Sequence, residues 1–360
     1  MKTGKAMGRL RRSARLAPLL LLLAAAAWWW WGSIAETLGL GCHSVPWRQY
    51  CVDGDVGAMA WSPDGRKLAV SLGFDVEVLV LDLESGHTLW HLRKDVFGEH
   101  SIAFTHDGKY VVTGTAEAER AVAGAALDLL DAETGRRVRE VPGIYPHETW
   151  QANIGRKFAI SPDGKLLAAL SYDDLGRPAT IYSTETWQEV RRVSHGKDYF
   201  ASLAISPDSR ELAIGTVRGN IDIFDLATGS LDRVTDGHDD VECLAFSPDG
   251  RFIVSGAFIA SDHRADTGPV VIWRAEDGQK IWSHQASTKT VMDVAWSPDG
   301  RHIAWSALGG SVYLWDRSAP QGPAEIAHLE RSSWAIAFSP DGRYLAIGER
   351  DRIVMRQVGQ

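Results

Sequence analysis

Residues 245–251 read Ala-Phe-Ser-Pro-Asp-Gly-Arg and are followed by an apolar run over 252–254. The proline presets φ at the first central position of a tight turn, the aspartate bonds its local backbone, and the glycine accepts a positive φ. This stretch therefore predicts a turn between two antiparallel strands.

The same phrase occurs seven times along the chain. The other copies begin at Ala60, Ala103, Ala159, Ala204, Ala295 and Ala337. Their aspartates are 41 to 56 residues apart, while His106 replaces the proline in one copy and Ser209 replaces the glycine in another. Such a period, with strand-like content, is typical of radially repeated sheet proteins. We therefore expect an all-β, seven-bladed β-propeller of four-stranded antiparallel blades.

The fifth copy shows how each blade is expected to fold. Its strands are predicted over Val241–Phe246, Arg251–Gly256, Val270–Trp273 and Lys280–Ser283. The third strands of the other copies are expected at Val76–Leu81, Ala125–Leu130, Ala179–Tyr182, Ile221–Phe224, Val312–Trp315 and Ile353–Met355. The recurrent alanine lies in the first strand, which places it near the axis where the blades converge.

A basic and then apolar segment precedes the repeats. The first 35 residues carry six basic side chains and no acidic one, and the run over 16–35 is uncharged. As a helix, 20 residues would span about 30 Å, the thickness of a bilayer core. Basic residues over 1–15 place that flank in the cytoplasm. We therefore expect a single-pass anchor in the cytoplasmic membrane, a linker over 36–43, and the propeller on the extracytoplasmic side.

A cleaved signal peptide is the alternative for this segment. Residues 33–35 read Ser-Ile-Ala, and small side chains suit a signal peptidase, so cleavage near Ala35 would leave a secreted or periplasmic protein. The basic, alanine-rich leader indicates a bacterial protein. Cys42 and Cys51 flank one short strand-like stretch and could form a disulfide bond in an oxidising compartment.

The charge distribution and the motifs limit the possible functions. The net charge of -8 becomes -14 once the basic leader is left out, which argues against a nucleic-acid surface. The sequence contains no zinc-protease, nucleophile-elbow or nucleotide-binding motif. We therefore expect neither a cofactor nor catalysis. A propeller hydrolase or lactonase with a metal in the central channel remains an alternative.

Several strand ends identify a family. Residues 314–316 read Leu-Trp-Asp, residues 224–225 read Phe-Asp, and residues 237–238 read Gly-His. Together with the Ser-Pro-Asp-Gly turns, these features resemble WD40 repeats over residues 44–360. The resemblance implies a non-catalytic protein-interaction scaffold. A similar exported envelope propeller of the TolB type is the other candidate.

The resemblance also implies a hydrogen-bonded tetrad within each blade. Only the fifth copy approaches it, with His238, Ser255, Asp266 and Trp273. The seventh copy reaches only its third strand before the chain stops. We therefore expect residues 44–52 to supply the missing outer strand, since an open sheet edge would pair with another chain.

The loops indicate where a partner binds. One predicted face carries short, uniform turns, whereas the other carries insertions over 116–124, 142–155, 172–178 and 258–268. A face elaborated in this way usually carries the binding function. The candidate partner-binding residues are Tyr145, His147, Trp150, Asp173, Asp174, His238, Asp262, His263, Arg264 and Asp266. A protein partner is expected, with the membrane contacted through 16–35.

Overall fold

The computed structural model contains only strands, turns and loops in the residues it describes. These are residues 49–73, 77–93, 101–115, 126–142, 158–170, 178–196, 200–235, 240–258, 269–285, 290–330 and 332–359. Within them, the strands form seven four-stranded antiparallel sheets, one for each copy of the repeat. The prediction of a seven-bladed propeller is therefore confirmed.

The first three blades follow the chain without a crossover. After β1 (Gln49–Cys51), blade 1 contains β2 (Val56–Trp61), β3 (Lys67–Leu72), β4 (Glu77–Asp82) and β5 (Thr88–Arg93). Blade 2 contains β6 (Ile102–Phe104), β7 (Tyr110–Thr115), β8 (Ala126–Asp131) and β9 (Arg137–Pro142). Blade 3 contains β10 (Phe158–Ile160), β11 (Leu166–Leu170), β12 (Ala179–Ser183) and β13 (Glu189–Val193).

The next three blades repeat this order. Blade 4 contains β14 (Phe200–Ile205), β15 (Glu211–Thr216), β16 (Ile221–Asp225) and β17 (Leu231–Val234). Blade 5 contains β18 (Asp240–Phe246), β19 (Phe252–Phe258), β20 (Pro269–Arg274) and β21 (Lys280–Gln285). Blade 6 contains β22 (Val291–Trp296), β23 (His302–Ala307), β24 (Ser311–Asp316) and β25 (Ala324–His328). The four strands expected in blade 5 agree with these bounds to within two residues.

Blade 7 takes its strands from both ends of the repeat region. It contains β26 (Ile336–Phe338), β27 (Tyr344–Gly348) and β28 (Arg352–Gln357), and its sheet order is β1-β28-β27-β26. The Val52 N–H donates a hydrogen bond to the Asp351 carbonyl at 2.9 Å. An edge that would otherwise expose backbone donors and acceptors is thus paired.

The Ser-Pro-Asp-Gly turns are held by the contacts that their chemistry predicts. In all seven copies a Ser or Thr hydroxyl donates to the aspartate Oδ1, over 2.5 to 2.7 Å. The same Oδ1 accepts the backbone N–H two residues later, and the glycines adopt φ near +70°. The hydroxyl bond from Ser339 lowers the pKa of Asp341 to about 2. The predicted turn is therefore confirmed.

Neighbouring turns also contact each other around the ring. A β-carbon added at Gly250 would lie 3.6 Å from the Pro207 ring of the preceding blade. At the copy where Ser209 replaces glycine, φ is still +60° and the Ser209 hydroxyl accepts the Asp163 N–H at 3.1 Å. A hydrogen bond therefore joins the two turns at this junction.

The recurrent alanines lie beside the axis, as expected, and border an open cavity of about 480 Å³. Those that line it are Ala60, Ala103, Ala159, Ala245, Ala295 and Ala337. The aromatic residue that follows the alanine bridges two blades, since Trp61 Nε1 donates to the Ala337 carbonyl at 3.1 Å and Trp296 Nε1 to the Ala245 carbonyl at 3.2 Å. Small side chains at these positions leave the axial cavity open.

Candidate interaction surface

The two faces of the propeller differ in how their connections are built. The turn face consists of the turns that join first to second and third to fourth strands, such as 247–251 and 275–279. The loop face consists of the remaining connections, such as 217–220, 308–310 and 349–351. Because the strands of a blade are antiparallel, these two kinds of connection alternate between the faces.

The candidate partner-binding residues all lie outside the described residues. They are Tyr145, His147, Trp150, Asp173, Asp174, His238, Asp262, His263, Arg264 and Asp266. The strand ends that flank their segments belong to the loop face. Cys42 and residues 16–35 also lie outside the described residues, so the disulfide bond with Cys51 and the membrane anchor stay predictions.

Half of the tetrad implied for blade 5 is present in the described residues. Trp273 Nε1 donates to Ser255 Oγ at 2.8 Å, and both side chains are buried. His238 and Asp266 lie outside the described residues. The pairing of Trp273 with Ser255 fixes the third strand of the blade against the second.

A side-chain hydrogen bond on the loop face was missed by sequence reasoning. His195 follows the outer strand of blade 3, and its Nδ1 lies 3.0 Å from Asp222 Oδ2 in blade 4. Asp222 is fully buried, whereas His195 is more than one third exposed. The sequence contained a signal for this contact. Residues 195–196 read His-Gly between blades 3 and 4, and residues 237–238 read Gly-His in the corresponding connection between blades 4 and 5. This pair joins two blades at the loop face.

Other charged contacts stabilise the loop face where blades 7 and 1 are adjacent. Arg352 Nε donates to Glu349 Oε2 at 2.5 Å, and Arg350 lies 3.9 Å from Asp55. The hydrogen bond to Glu349 raises the pKa of Arg352. In blade 1 the buried Glu77 carboxylate lies 2.7 Å from His91 Nε2. The buried carboxylates of Glu77 and Glu349 are thus each paired with a basic side chain.

Most of the residues that line the axial cavity have apolar side chains. Its polar side chains include Asp293, whose Oδ2 accepts the Ile336 N–H at 3.0 Å and whose Oδ1 accepts the Val294 N–H at 2.9 Å. Asp293 therefore joins blade 6 to blade 7. Among the described residues, no three His, Cys, Asp or Glu side chains form a group that could hold a metal ion.

The turn face uses its polar groups internally. Arg301 Nη2 donates to Asp316 Oδ2 at 2.6 Å, and Arg343 Nε donates to Asp341 Oδ2 at 2.6 Å. The bond from Arg301 is the main reason why the pKa of Asp316 lies well below its ordinary value. In the part of the chain that the structure describes, no helix is long and apolar enough to cross a membrane.

Comparison with known proteins identifies part of the repeat region. A family model described as "WD domain, G-beta repeat" matches residues 229–265, 278–316 and 325–355. These stretches begin with the outer strand of blade 4 and continue through blades 5 and 6 into blade 7.

Several curated proteins share weaker similarity. The chain is 28% identical over 170 residues to a chromatin assembly factor 1 subunit FAS2 homolog of Oryza sativa subsp. japonica, which covers 44% of this chain and 33% of that protein. It is 29% identical over 163 residues to an uncharacterized WD repeat-containing protein of Synechocystis, covering 44% of each. It is 29% identical over 135 residues to WD repeat-containing protein 1 of Xenopus tropicalis, covering 36% of this chain and 21% of that protein. The matches thus span less than half of each relative.

Proposed function

Because this chain is a β-propeller built from WD40 repeats, we propose that it is a non-catalytic scaffold whose loop face binds a protein partner. WD40 propellers are typically protein-interaction scaffolds. The observation that carries the proposal is the difference between the two faces. Seven near-identical turns close one face, whereas the connections of the other vary in length and composition.

The repeated turns of the turn face use many of their own polar groups for folding. Each Ser or Thr hydroxyl and each aspartate Oδ1 of the repeated phrase is already used within its own turn. Contacts between adjacent turns, such as Asp163 with Ser209, use further groups. Variation in sequence at this face is therefore restricted by folding, which favours the loop face as the principal binding surface.

The described loop-face connections combine exposed side chains with a fixed backbone. Leu308 is 43% exposed, and its N–H donates to the Thr290 carbonyl at 2.8 Å. The N–H of Gly309 donates to Ser332 Oγ at 2.9 Å, and that of Asn220 donates to Thr216 Oγ1 at 3.1 Å. A loop whose backbone is fixed loses less conformational entropy on binding, which favours affinity.

The location of the scaffold is part of the proposal. The uncharged run over 16–35 and its basic flank support a membrane anchor that displays the propeller on the extracytoplasmic side. Cleavage near Ala35 would instead release the propeller to the same compartment. Fractionation of the cells used in the experiment below separates these outcomes, since a retained anchor keeps the protein in the membrane pellet after alkaline extraction.

Site-specific photo-crosslinking in intact cells tests the binding face. A photo-reactive amino acid is placed singly at exposed positions of the full-length protein. The loop-face positions are Arg218, Leu308 and Arg350, and the turn-face controls are Ser85, Thr134 and Thr228. We expect a discrete crosslinked band from at least one loop-face position that none of the three controls produces.

The result that contradicts the proposal is equally specific. Bands of the same mass from any of the three turn-face controls, or bands from the turn face alone, would assign the partner to the other face. Absence of any discrete band from all six positions would count against a stable protein partner in these cells.

A further inference from the structure

A cleft opens on the turn face between blades 4 and 5. Its volume is about 860 Å³, and charged and apolar side chains line it together. The side chains used below are Glu211, Arg233, Arg251, Phe252, Arg274 and Ile281. This cleft lies on the face opposite the loops and shares only Pro248 with the described lining of the axial cavity.

The cleft coincides with a missing contact between blades. Three other junctions are closed by a hydrogen bond between adjacent blades. In each, the residue at the same register position of the outer strand donates to the turn between the third and fourth strands of the next blade. The pairs are Trp90 with the Ala132 carbonyl at 2.9 Å, Arg139 with the Thr186 carbonyl at 3.0 Å and Arg191 with the Leu226 carbonyl at 2.7 Å. These bonds close the outer parts of those junctions.

Arg233 occupies the same strand position in blade 4 and behaves differently. By sheet register it lies opposite Ile223, as Arg191 lies opposite Ile181. Its Nη2 donates to Glu211 of its own blade. Its Nε is buried and has no acceptor among the described residues. Arg233 is thus paired within blade 4 and does not bond to the third-to-fourth turn of blade 5.

A second guanidinium at the cleft differs from its counterpart in blade 7. Arg343 follows the same turn in blade 7 and is bonded to Asp341 at 2.6 Å. Arg251 makes no such ion pair with a described residue, and its guanidinium carbon lies 5.6 Å from the centre of the Phe252 ring. Asp249 Oδ1 is held by Ser247 and by the Arg251 backbone N–H, just as Asp341 Oδ1 is held in blade 7, so the two sites differ in the position of the guanidinium. The Arg251 guanidinium, which forms no ion pair with Asp249, can therefore bind an external anion.

We propose that this cleft binds an extended peptide segment that carries a carboxylate next to an apolar side chain. The carboxylate is recognised by the exposed Arg251 guanidinium, because guanidinium groups bind carboxylates with directed hydrogen bonds. The apolar neighbour packs on Ile281, which is 39% exposed.

The charges around the cleft favour a single carboxylate over a polyanion. Asp208, Glu211, Asp249 and Glu276 also line it, so a phosphate dianion or a nucleic-acid backbone would meet four carboxylates. A single carboxylate carries one charge, so one guanidinium can neutralise it and the four carboxylates repel it less than a dianion. The site thus adds a second binding surface to the scaffold, on the face opposite its loops.

Ligand-observed NMR titration of the purified propeller tests this site with matched probes. The probes are the peptide Ala-Val-Glu-Leu-Ala, its Gln counterpart and its phosphoserine counterpart, all with blocked termini. We expect saturable binding of the Glu peptide and binding at least about fivefold weaker for the Gln peptide, since charge-assisted hydrogen bonds are the stronger ones. Arg251→Gln should weaken the Glu peptide by a similar factor.

Arg343→Gln is the matched control, because Arg343 stands at the same turn position with its charge already paired. It should leave binding unchanged, and both variants should keep the wild-type circular dichroism spectrum. Equal binding of the Glu and Gln peptides, or equal weakening by the two variants, would refute the site. Tighter binding of the phosphoserine peptide would refute the carboxylate assignment. Loop-face crosslinks should persist in Arg251→Gln, which separates this result from the scaffold proposal.

Discussion

Blades 5 and 6 are neighbours that hold their third strand against their second strand by different contacts. Each has a tryptophan at the penultimate position of its third strand, Trp273 in blade 5 and Trp315 in blade 6. In blade 5 the indole N–H is bonded to Ser255 at 2.8 Å. In blade 6 the position of that serine is taken by Trp305, and the Trp315 N–H is buried without an acceptor among the described residues.

Aromatic packing takes the place of the missing hydrogen bond. Trp305 stacks on Tyr313 with ring centres 5.4 Å apart, and Trp315 stacks on Trp282 of blade 5 at 4.1 Å. Such pairs contribute about 0.5 to 1.5 kcal/mol beyond their buried area. A blade of this propeller can therefore lose the polar tetrad and still be fixed, provided that large rings fill the same space.

The largest expected effect comes from removing the ring that replaced the serine. Trp305 is 0% exposed, so Trp305→Ala creates a large cavity and should lower the free energy of unfolding by about 3 to 5 kcal/mol. Urea denaturation followed by circular dichroism measures this loss. Val138→Ala, at a side chain that is 54% exposed, is the control and should change stability by no more than about 0.5 kcal/mol. Equal effects of the two would mean that blade 6 does not depend on its aromatic core.

A pair of buried serines tests the polar side of the comparison. Ser255→Ala leaves the Trp273 N–H buried and unpaired, which should cost about 1 to 3 kcal/mol. Ser306 in blade 6 is also fully buried, but its hydroxyl has no partner within the described ranges. Ser306→Ala should therefore be neutral or stabilising in the same urea measurement. A larger loss of stability for Ser306→Ala than for Ser255→Ala would contradict the conclusion that the Ser255 hydroxyl stabilises its blade and the Ser306 hydroxyl does not.

The smallest expected effect is a pH dependence of the aromatic cluster. His284 lies beside Trp282 with ring centres 5.6 Å apart, and burial lowers its pKa below the ordinary value of 6.5. The unfolded chain therefore takes up the proton first as the pH falls. The stabilising contribution is complete above pH 6.5 and decreases below it.

Thermal melts between pH 8 and pH 5 measure this contribution. His284→Phe should flatten the decrease in melting temperature below pH 6.5, whereas His87→Phe, at an exposed turn position, should leave it unchanged. The same slope in wild type and His284→Phe would show that this imidazole does not titrate as its burial implies.

Much of the fold could be predicted because the repeated phrase acts locally. The hydroxyl, aspartate and glycine of 247–250 form their turn from contacts within five residues, so the chemistry is visible in the sequence itself. The seven copies then fix the number of blades. The replacement of glycine by Ser209 was also visible, although its bond to Asp163 of the neighbouring turn was not.

The surfaces were less predictable because they depend on residues far apart in the chain. His195 and Asp222 are 27 positions apart and lie in different blades, so their contact forms only when the blades pack. Arg251 and Arg343 occupy the same position of the same phrase, yet only one is paired. The cleft between blades 4 and 5 depends on the direction that Arg233 takes, which no local pattern encodes.

The sequence by itself determined the blade count, the turn geometry and the alternation of the two faces, because turns and strand periodicity are short-range properties. It also carried the Trp273 and Ser255 pair, since both positions recur at fixed offsets within a blade. Only the tertiary structure decided which charges are paired, where aromatic rings replace hydrogen bonds, and where a junction stays open. Those outcomes depend on side chains from adjacent blades, whose distances are set only when the ring closes.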